Sequence, residues 1–397
     1  MVPPKEMRAR KSFSLRLVIM AAAVLFALVV MEAALRLVPG VLGPELQQLV
    51  RVNPANYGVA HAYIGHLHKP RHEIVLTGRD FHAVNHTDAL GFHNPGAARE
   101  RADVAVVGDS VSFGYGVADD EAWPALMARS LPQLSVSNLA LIGASPQQYL
   151  RVYETFGITL RPKLVLVGVF AANDFWDAGV FDSWLASGAG GNYIVWRDFG
   201  RPPPVLFDLT APLATGESLL RSQIYPIARK SYLFNLLKAV VGGSGTNMLE
   251  QPTVVRFADG GRMQLMPEHF KRAVVPPSRE DHREFQLAAT ALRRVHALAA
   301  ENGTHALMVL LPSKEEVYLP ADREMPDLTG PLRLAFDRDA IEYLDLVPAF
   351  RERAAAGERL FFETDGHPNK SGYALIAKLV LQHIRENTNR YGLTAVN

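Results

Sequence analysis

The chain has 397 residues, 48% hydrophobic and 20% charged, with 41 Lys and Arg against 40 Asp and Glu and no cysteine. That apolar content excludes a disordered chain, and the balanced charge leaves no electrostatic footprint for nucleic acid, so no nucleic-acid partner is expected. Without a thiol there is no disulfide, zinc-thiolate site, iron–sulfur cluster or cysteine nucleophile, and nucleophilic chemistry falls to Ser, Thr, Lys or a carboxylate.

Residues 1–16 form a basic arm, with Lys5, Arg8, Arg10, Lys11 and Arg16 against Glu6 alone. Leu17 to Met31 is then uninterrupted apolar sequence, and after Glu32 and Arg36 the segment stops at Pro39-Gly40. Residues 17–38 have the roughly 20-residue length that crosses a bilayer. The positive-inside rule keeps the basic arm in the cytoplasm. The expected location is therefore the inner (cytoplasmic) membrane, single-pass, with the lipid bilayer as a partner and the body periplasmic or extracytoplasmic. A cleaved signal peptide is the rival reading; Met31 and Glu32 stand where its cleavage site needs small residues, which favours an uncleaved anchor. Glu32 and Arg36, one helical turn apart, would pair at the membrane interface.

Residues 39–100 read as a lead-in segment packing on the domain edge, short of helical periodicity and holding His61, His66, His68, His72, His82, His86 and His93. His66 and His68 would share one face of a strand. Their spacings match no zinc signature, so a structural role is preferred to metal binding and no metal site is expected.

From residue 101 to 387 buried strands alternate with amphipathic helices, the pattern of a parallel α/β sheet. The expected strands are Val104 to Val107, Val136 to Ile142, Leu164 to Phe170, Ala306 to Leu311 and Ile341 to Leu346; the helices include Glu121 to Leu131, Pro146 to Leu160, Asp281 to Asn302 and Asn369 to Asn387. Residues 175–280 break the rhythm with Gly-, Ser- and Pro-rich stretches and no long amphipathic helix, and read as an insertion or lid containing a hairpin through Asp259-Gly260-Gly261. Residues 388–397 are a tail.

Ligands of open α/β sheets bind at the carboxyl ends of the strands, and three such ends carry chemistry. Gly108-Asp109-Ser110, with Gly114 and Gly116, follows the first strand and presents a serine on a tight turn. Gly143 follows the second strand, and its N–H is a candidate oxyanion donor beside the Ser110 N–H. Asn173-Asp174 follows the third, where the Asn173 amide is another candidate donor. Far along the chain, Thr364-Asp365-Gly366-His367 precedes the last helix. His367 would serve as general base toward Ser110, with Asp365 fixing its tautomer and Glu363 as an alternative orienting group.

Taken together these residues resemble the SGNH (GDSL-type) hydrolase superfamily, whose four blocks occur here in order: Gly108-Asp109-Ser110 with Gly114 and Gly116, then Gly143, then Asn173-Asp174, then Asp365 with His367. The resemblance implies a flavodoxin-like three-layer α/β/α sandwich with a mainly parallel sheet, carrying here a large insertion and one N-terminal transmembrane helix. It also implies hydrolysis or transfer of acyl esters through an acyl-serine, with no cofactor. Ala171 stands where the third block has glycine, and Asp-x-His replaces Asp-x-x-His, Thr364 holding the usual place. That last spacing is similar to the envelope-associated, alginate acetyltransferase-like branch. The N-terminal anchor, Asn85 with Leu90-Gly91-Phe92, and Leu311-Pro312-Ser313-Lys314-Glu315 resemble membrane-anchored bacterial members. Lys314 and Glu315 read as a strand-end turn and ion pair in preference to a substrate contact.

The expectation is a membrane-anchored extracytoplasmic serine esterase or O-acyltransferase acting on acyl, foremost acetyl, esters of an envelope or exported polysaccharide. Its partners would be the acylated carbohydrate, the bilayer and, for transfer, a membrane acyl-donor protein. The alternatives are a lipolytic esterase, with Trp176, Phe181 and Trp184 as an acyl pocket, and a non-catalytic glycan-binding subunit.

Overall fold

The computed structural model describes residues 4–37, 57–94, 99–197, 231–234, 236, 253–265, 282–319 and 327–393. They fall into two compact units, Met1–Arg51 with Pro202–Gly245 and Val52–Arg201 with Thr246–Asn397. Much of the expected 175–280 insertion, and with it the lid reading, lies outside the described residues.

In the first unit, helix α1 (Pro4–Leu37) takes in both the basic arm and the apolar stretch. Its section Ile19–Leu37 is long and apolar enough to cross a membrane, and Ile19, Val24, Leu25 and Phe26 are exposed. Arg36 Nε donates to Glu32 at 2.6 Å, the expected pair. Glu32 also accepts from Ser231 Oγ (2.7 Å) and from the Tyr232 and Leu233 amides (3.0 and 2.9 Å), contacts about 200 residues apart in sequence that no local pattern announces.

The second unit opens with two antiparallel hairpins, β1 (Gly58–His61) with β2 (Gly65–His68) and β3 (Glu73–Thr77) with β4 (His82–His86). The sheet proper begins at β5 (Val104–Val107). Helix α2 (Ser110–Phe113) follows it directly; α3 (Trp123–Ser130), with Pro124 in its first turn, leads to β6 (Val136–Asn138). Helix α4 (Pro146–Val152), opened by a Ser145/Gln148 capping box, continues through a π turn and a 3-10 turn to Leu160 and then β7 (Leu164–Val169). Next come α5 (Asp174–Ala186), α6 (Tyr193–Val195), the hairpin β8 (Val254–Arg256) and β9 (Arg262–Gln264), and α7 (Arg283–Glu301). The chain finishes as β10 (His305–Leu310), α8 (Lys314–Tyr318), α9 (Gly330–Arg338), β11 (Tyr343–Asp345), α10 (Val347–Ala355) and α11 (Lys370–Glu386).

The sheet runs β11-β10-β7-β5-β6, every neighbouring pair parallel. Counted along the chain this is the order 2-1-3-4-5, the flavodoxin-like arrangement. Strands β5 and β7 are buried at every position, as short apolar runs covered on both faces must be. The β5-to-β6 crossover runs opposite to the three that follow, so right-handed connections put α3 on one face and α4 and α7 on the other. Packing agrees: α3 lies on β6 and against α11, whereas α4, α5 and α7 pack together with α7 on β10. The three-layer sandwich is the expected one, and its switch point lies between the carboxyl ends of β5 and β7.

One expectation needs correction, and another is met in an unforeseen form. The second strand stops at Asn138 rather than Ile142, because the Asn138 side chain turns inward to donate to Ser112 O and accept from the Ala140 amide. Residues 175–280 do begin with a long helix, the 13-residue α5. Its apolar residues surround the axis, Phe175 and Ala178 entering the main core while Val180, Phe181 and Trp184 cluster with Tyr193, so no amphipathic stripe is visible.

Candidate active site

Ser110, His367 and Asp365 meet at the switch point. Asp109 caps α2, its Oδ1 accepting from the Val111 amide at 3.0 Å, and Gly114 closes the turn at φ +97°. A turn this short leaves Ser110 at the strand end with its hydroxyl 2.8 Å from His367 Nε2. On the far side of the ring, Nδ1–H donates to Asp365 Oδ1 at 2.6 Å, and the same oxygen accepts the His367 amide at 2.9 Å. With Asp365 accepting at Nδ1, Nε2 is left bare to receive the Ser110 proton. The Tyr115 ring stacks on the imidazole, centroids 4.4 Å apart.

Asp365, not Glu363, contacts the imidazole; the Glu363 side chain is exposed. Burial works to raise the Asp365 carboxyl, and the imidazole, its hydrogen bonds and the Lys314 ammonium together hold it below the usual range. Lys314 is fully buried and donates through Nζ to Glu363 O (3.0 Å) and Asp365 O (2.8 Å). Burial pulls its ammonium down to about 8. This replaces the strand-end turn expected there: Lys314 ties the histidine loop to the end of β10. Its sequence signal was the Ser313-x-x-Glu316 capping box, which starts α8 and sets the lysine's direction.

Gly143 and Asn173 border the same strand ends. Gly143 sits at φ +71°, and a Cβ there would meet Ile194 Cδ1 at 2.6 Å; only glycine combines that backbone with that crowding. Asn173 Nδ2 donates to Asp109 Oδ2 at 3.4 Å, which leaves its second amide hydrogen as the candidate donor. Gly108 and Gly168 flank Ser112, whose hydroxyl occupies the space where either Cβ would be. Gly116 faces Phe362.

Beneath the serine lies a buried acidic group. Burial pushes the Asp109 carboxyl up to about 6, against the opposing charge of His367. Asp174 accepts from Tyr149 Oη (2.5 Å) and the Phe170 amide (2.8 Å), and burial followed by the Asp109 charge drives it well above the usual range. Asp177, also buried, accepts from Arg197 Nε at 2.8 Å; the guanidinium lies over the Trp176 ring and beside Gly143. Arg197, Asp177 and Tyr149 carry no motif and were not foreseen. Among the described residues no group of three His, Asp or Glu is arranged to hold a metal ion.

No protein-family model matches the chain, and no curated protein matches its sequence. Solved structures similar to it include a lipolytic protein of the G-D-S-L family from Veillonella parvula, at 13% identity over 70% of this chain and 96% of that one, TM-score 0.36. A GDSL-like lipase from Bacteroides thetaiotaomicron matches at 11% over 72% and 88%, TM-score 0.34. A variant of an acetyl-xylooligosaccharide esterase from Geobacillus stearmophilus matches at 11% over 72% and 95%, TM-score 0.36.

Proposed function

We propose that the protein is a serine esterase or O-acyltransferase working through an acyl-serine at Ser110. The observation that carries this reading is the continuous line of hydrogen bonds from Ser110 Oγ through His367 to Asp365 at the switch point of the sheet. Ser110 Oγ attacks the ester carbonyl carbon while His367 Nε2 takes its proton. The tetrahedral oxyanion is held by the Ser110 and Gly143 N–H groups and the Asn173 amide. As the intermediate collapses, the C–O bond to the alcohol breaks and His367 returns the proton to that oxygen. Water, or a sugar hydroxyl in the transfer reaction, then attacks the acyl carbon while His367 takes its proton; the bond from that carbon to Ser110 Oγ breaks, and His367 returns the proton to Ser110 Oγ. No step calls for a metal or an organic cofactor.

The preferred substrate is a short acyl ester, foremost acetyl, on an envelope or exported polysaccharide, with α1 anchoring the protein in the inner membrane and the site on its outer side. Exposed apolar residues on α1 favour the anchor. Of the three aromatic residues on which the lipolytic reading would build an acyl pocket, Phe181 and Trp184 are fully buried against Tyr193 and serve as packing, while Trp176 is partly exposed; this favours the short-acyl reading.

The test uses the full-length chain in detergent micelles with p-nitrophenyl acetate and longer esters, beside Ser110→Ala, with and without an O-acetylated glycan and a free glycan acceptor. Turnover abolished in Ser110→Ala and declining with chain length supports the reading, and acceptor-dependent product assigns transfer. Equal rates in the two proteins, with no fluorophosphonate label on Ser110, would sink it.

A further inference from the structure

None of the seven histidines of the lead-in segment belongs to the relay, and two of them share one backbone partner. His66 and His68 are both fully buried on β2, and between them they bind both backbone polar groups of one residue, Ile142. The Ile142 amide donates to His68 Nε2 at 3.2 Å, and His68 Nδ1–H donates to Gly91 O at 3.2 Å. His66 Nε2–H donates to Ile142 O at 3.1 Å, and its Nδ1 accepts from Gln148 Nε2 at 3.2 Å. The partners fix the tautomers. A carbonyl only accepts, so His66 carries its proton on Nε2; a backbone amide only donates, so His68 carries its proton on Nδ1. Each choice is satisfied at the opposite ring nitrogen. Burial pulls the His66 imidazole down to about 3 and His68 well below its ordinary value, so both are neutral near pH 7.

Ile142 O and the Gly143 N–H belong to one peptide unit. The unit is trans and planar, so its C=O and N–H point in opposite directions and fixing one fixes the other. A hydrogen bond received by the carbonyl also polarises the amide and strengthens the N–H as a donor on the far side. Glycine at φ +71° is free to swing without such a restraint.

We propose that His66, with His68 holding the preceding amide, is a positioning residue of the oxyanion site: it locks and polarises the Ile142–Gly143 peptide so that the Gly143 N–H faces the ester carbonyl oxygen. This rests on Gly143 being an oxyanion donor, as the esterase reading has it. The β1–β2 hairpin then belongs to the catalytic apparatus, where the sequence suggested only a covering for the domain edge.

The experiment uses paired variants of the full-length chain. His66→Gln places an amide N–H near the Nε2 position and keeps the bond to Ile142 O. His66→Asn keeps an acceptor for Gln148 and cannot reach Ile142. In His66→Asn, kcat on p-nitrophenyl acetate falls about 10-fold with KM within about 3-fold, and fluorophosphonate labelling of Ser110 slows in step; His66→Gln recovers most of both. Equal losses in the two variants, or a rise in KM in place of the fall in kcat, overturn the proposal. Nitrogen NMR of the wild type supplies a reading that needs no variant to fold: His66 as the Nε2–H tautomer and His68 as the Nδ1–H tautomer support it, and His66 as Nδ1–H or imidazolium at pH 7 overturns it. A wild type whose Ser110 takes no label overturns the esterase reading itself, a result distinct from normal labelling in His66→Asn, which overturns the positioning role alone.

Discussion

The two halves of the proposed Ser110–His367–Asp365 relay are built by different means. The turn that carries Ser110 is a backbone object: it leaves β5, is capped by Asp109, closes on Gly114 and has glycines wherever neighbouring chain comes close. The loop that carries Asp365 and His367 belongs to no strand or helix; it is closed by the isolated bridge of Phe361 with Pro368 and meets a strand backbone where Glu363 O accepts from the Gln264 amide of β9 at 2.8 Å. Side chains from elsewhere hold it: Lys314 at Glu363 O and Asp365 O, and Asp80 at Thr364, whose amide and hydroxyl both donate to it (2.8 and 3.0 Å). The nucleophile side is therefore vulnerable to an added methyl, and the base side to a lost side chain.

The largest effect is expected within the relay. Asp365→Asn should lower kcat on the order of 10³- to 10⁴-fold by freeing the wrong tautomer of His367, while Glu363→Gln stays within about 2-fold; steady-state kinetics on one ester decides between the two acids. Next, Gly114→Ala forces a left-handed residue against Ala122 Cβ and should cost about 2–4 kcal/mol in urea denaturation. Lys314→Met strips Asp365 O of its ammonium donor and leaves Glu363 O with the Gln264 amide alone, and should cost about 2 kcal/mol, with kcat reduced roughly 10-fold and KM little changed. A stability loss with undiminished kcat would mean that the loop keeps its shape unaided, and the contrast between the two halves would fail.

Asp80→Ala, which removes exposed bonds, should cost about 1 kcal/mol or less in the same denaturation assay. The subtlest test is a slope. Burial raises the Asp109 carboxyl to about 6 in the folded chain, above its unfolded value near 3.8. Between those pH values the folded state holds a proton that the unfolded state releases, so this group's contribution to stability falls as pH rises from about 4 through 6. Asp109→Asn removes that slope, and its stability relative to wild type should climb across the window; a flat difference would show that Asp109 titrates normally.

The same contrast explains what the sequence made legible. Apolar runs such as Val104–Val107 and Leu164–Val169 announced the parallel sheet, and Gly108-Asp109-Ser110 announced the turn, because strand burial and tight turns restrict residue type locally. His367 and Asp365 were visible as a pair two residues apart. Lys314's reach to the histidine loop and the histidine clamp on Ile142 join segments tens of residues distant, 49 and 76 apart in these cases, where no local preference records them. Helix α5 escaped notice for another reason: packed on several sides, it has no polar stripe to set its period.

The bond between Ser110 and His367 spans 257 residues. A chain emerging N-terminus first completes the Ser110 turn, both of its candidate oxyanion loops and all five strands of its sheet before His367 is made. Assembly of the relay waits for a segment made 257 residues after the serine, so a chain cut short of it would carry a serine without its base, and the closing contact is of the long-range kind that slows folding. Onset of activity during refolding should accordingly lag behind formation of the sheet.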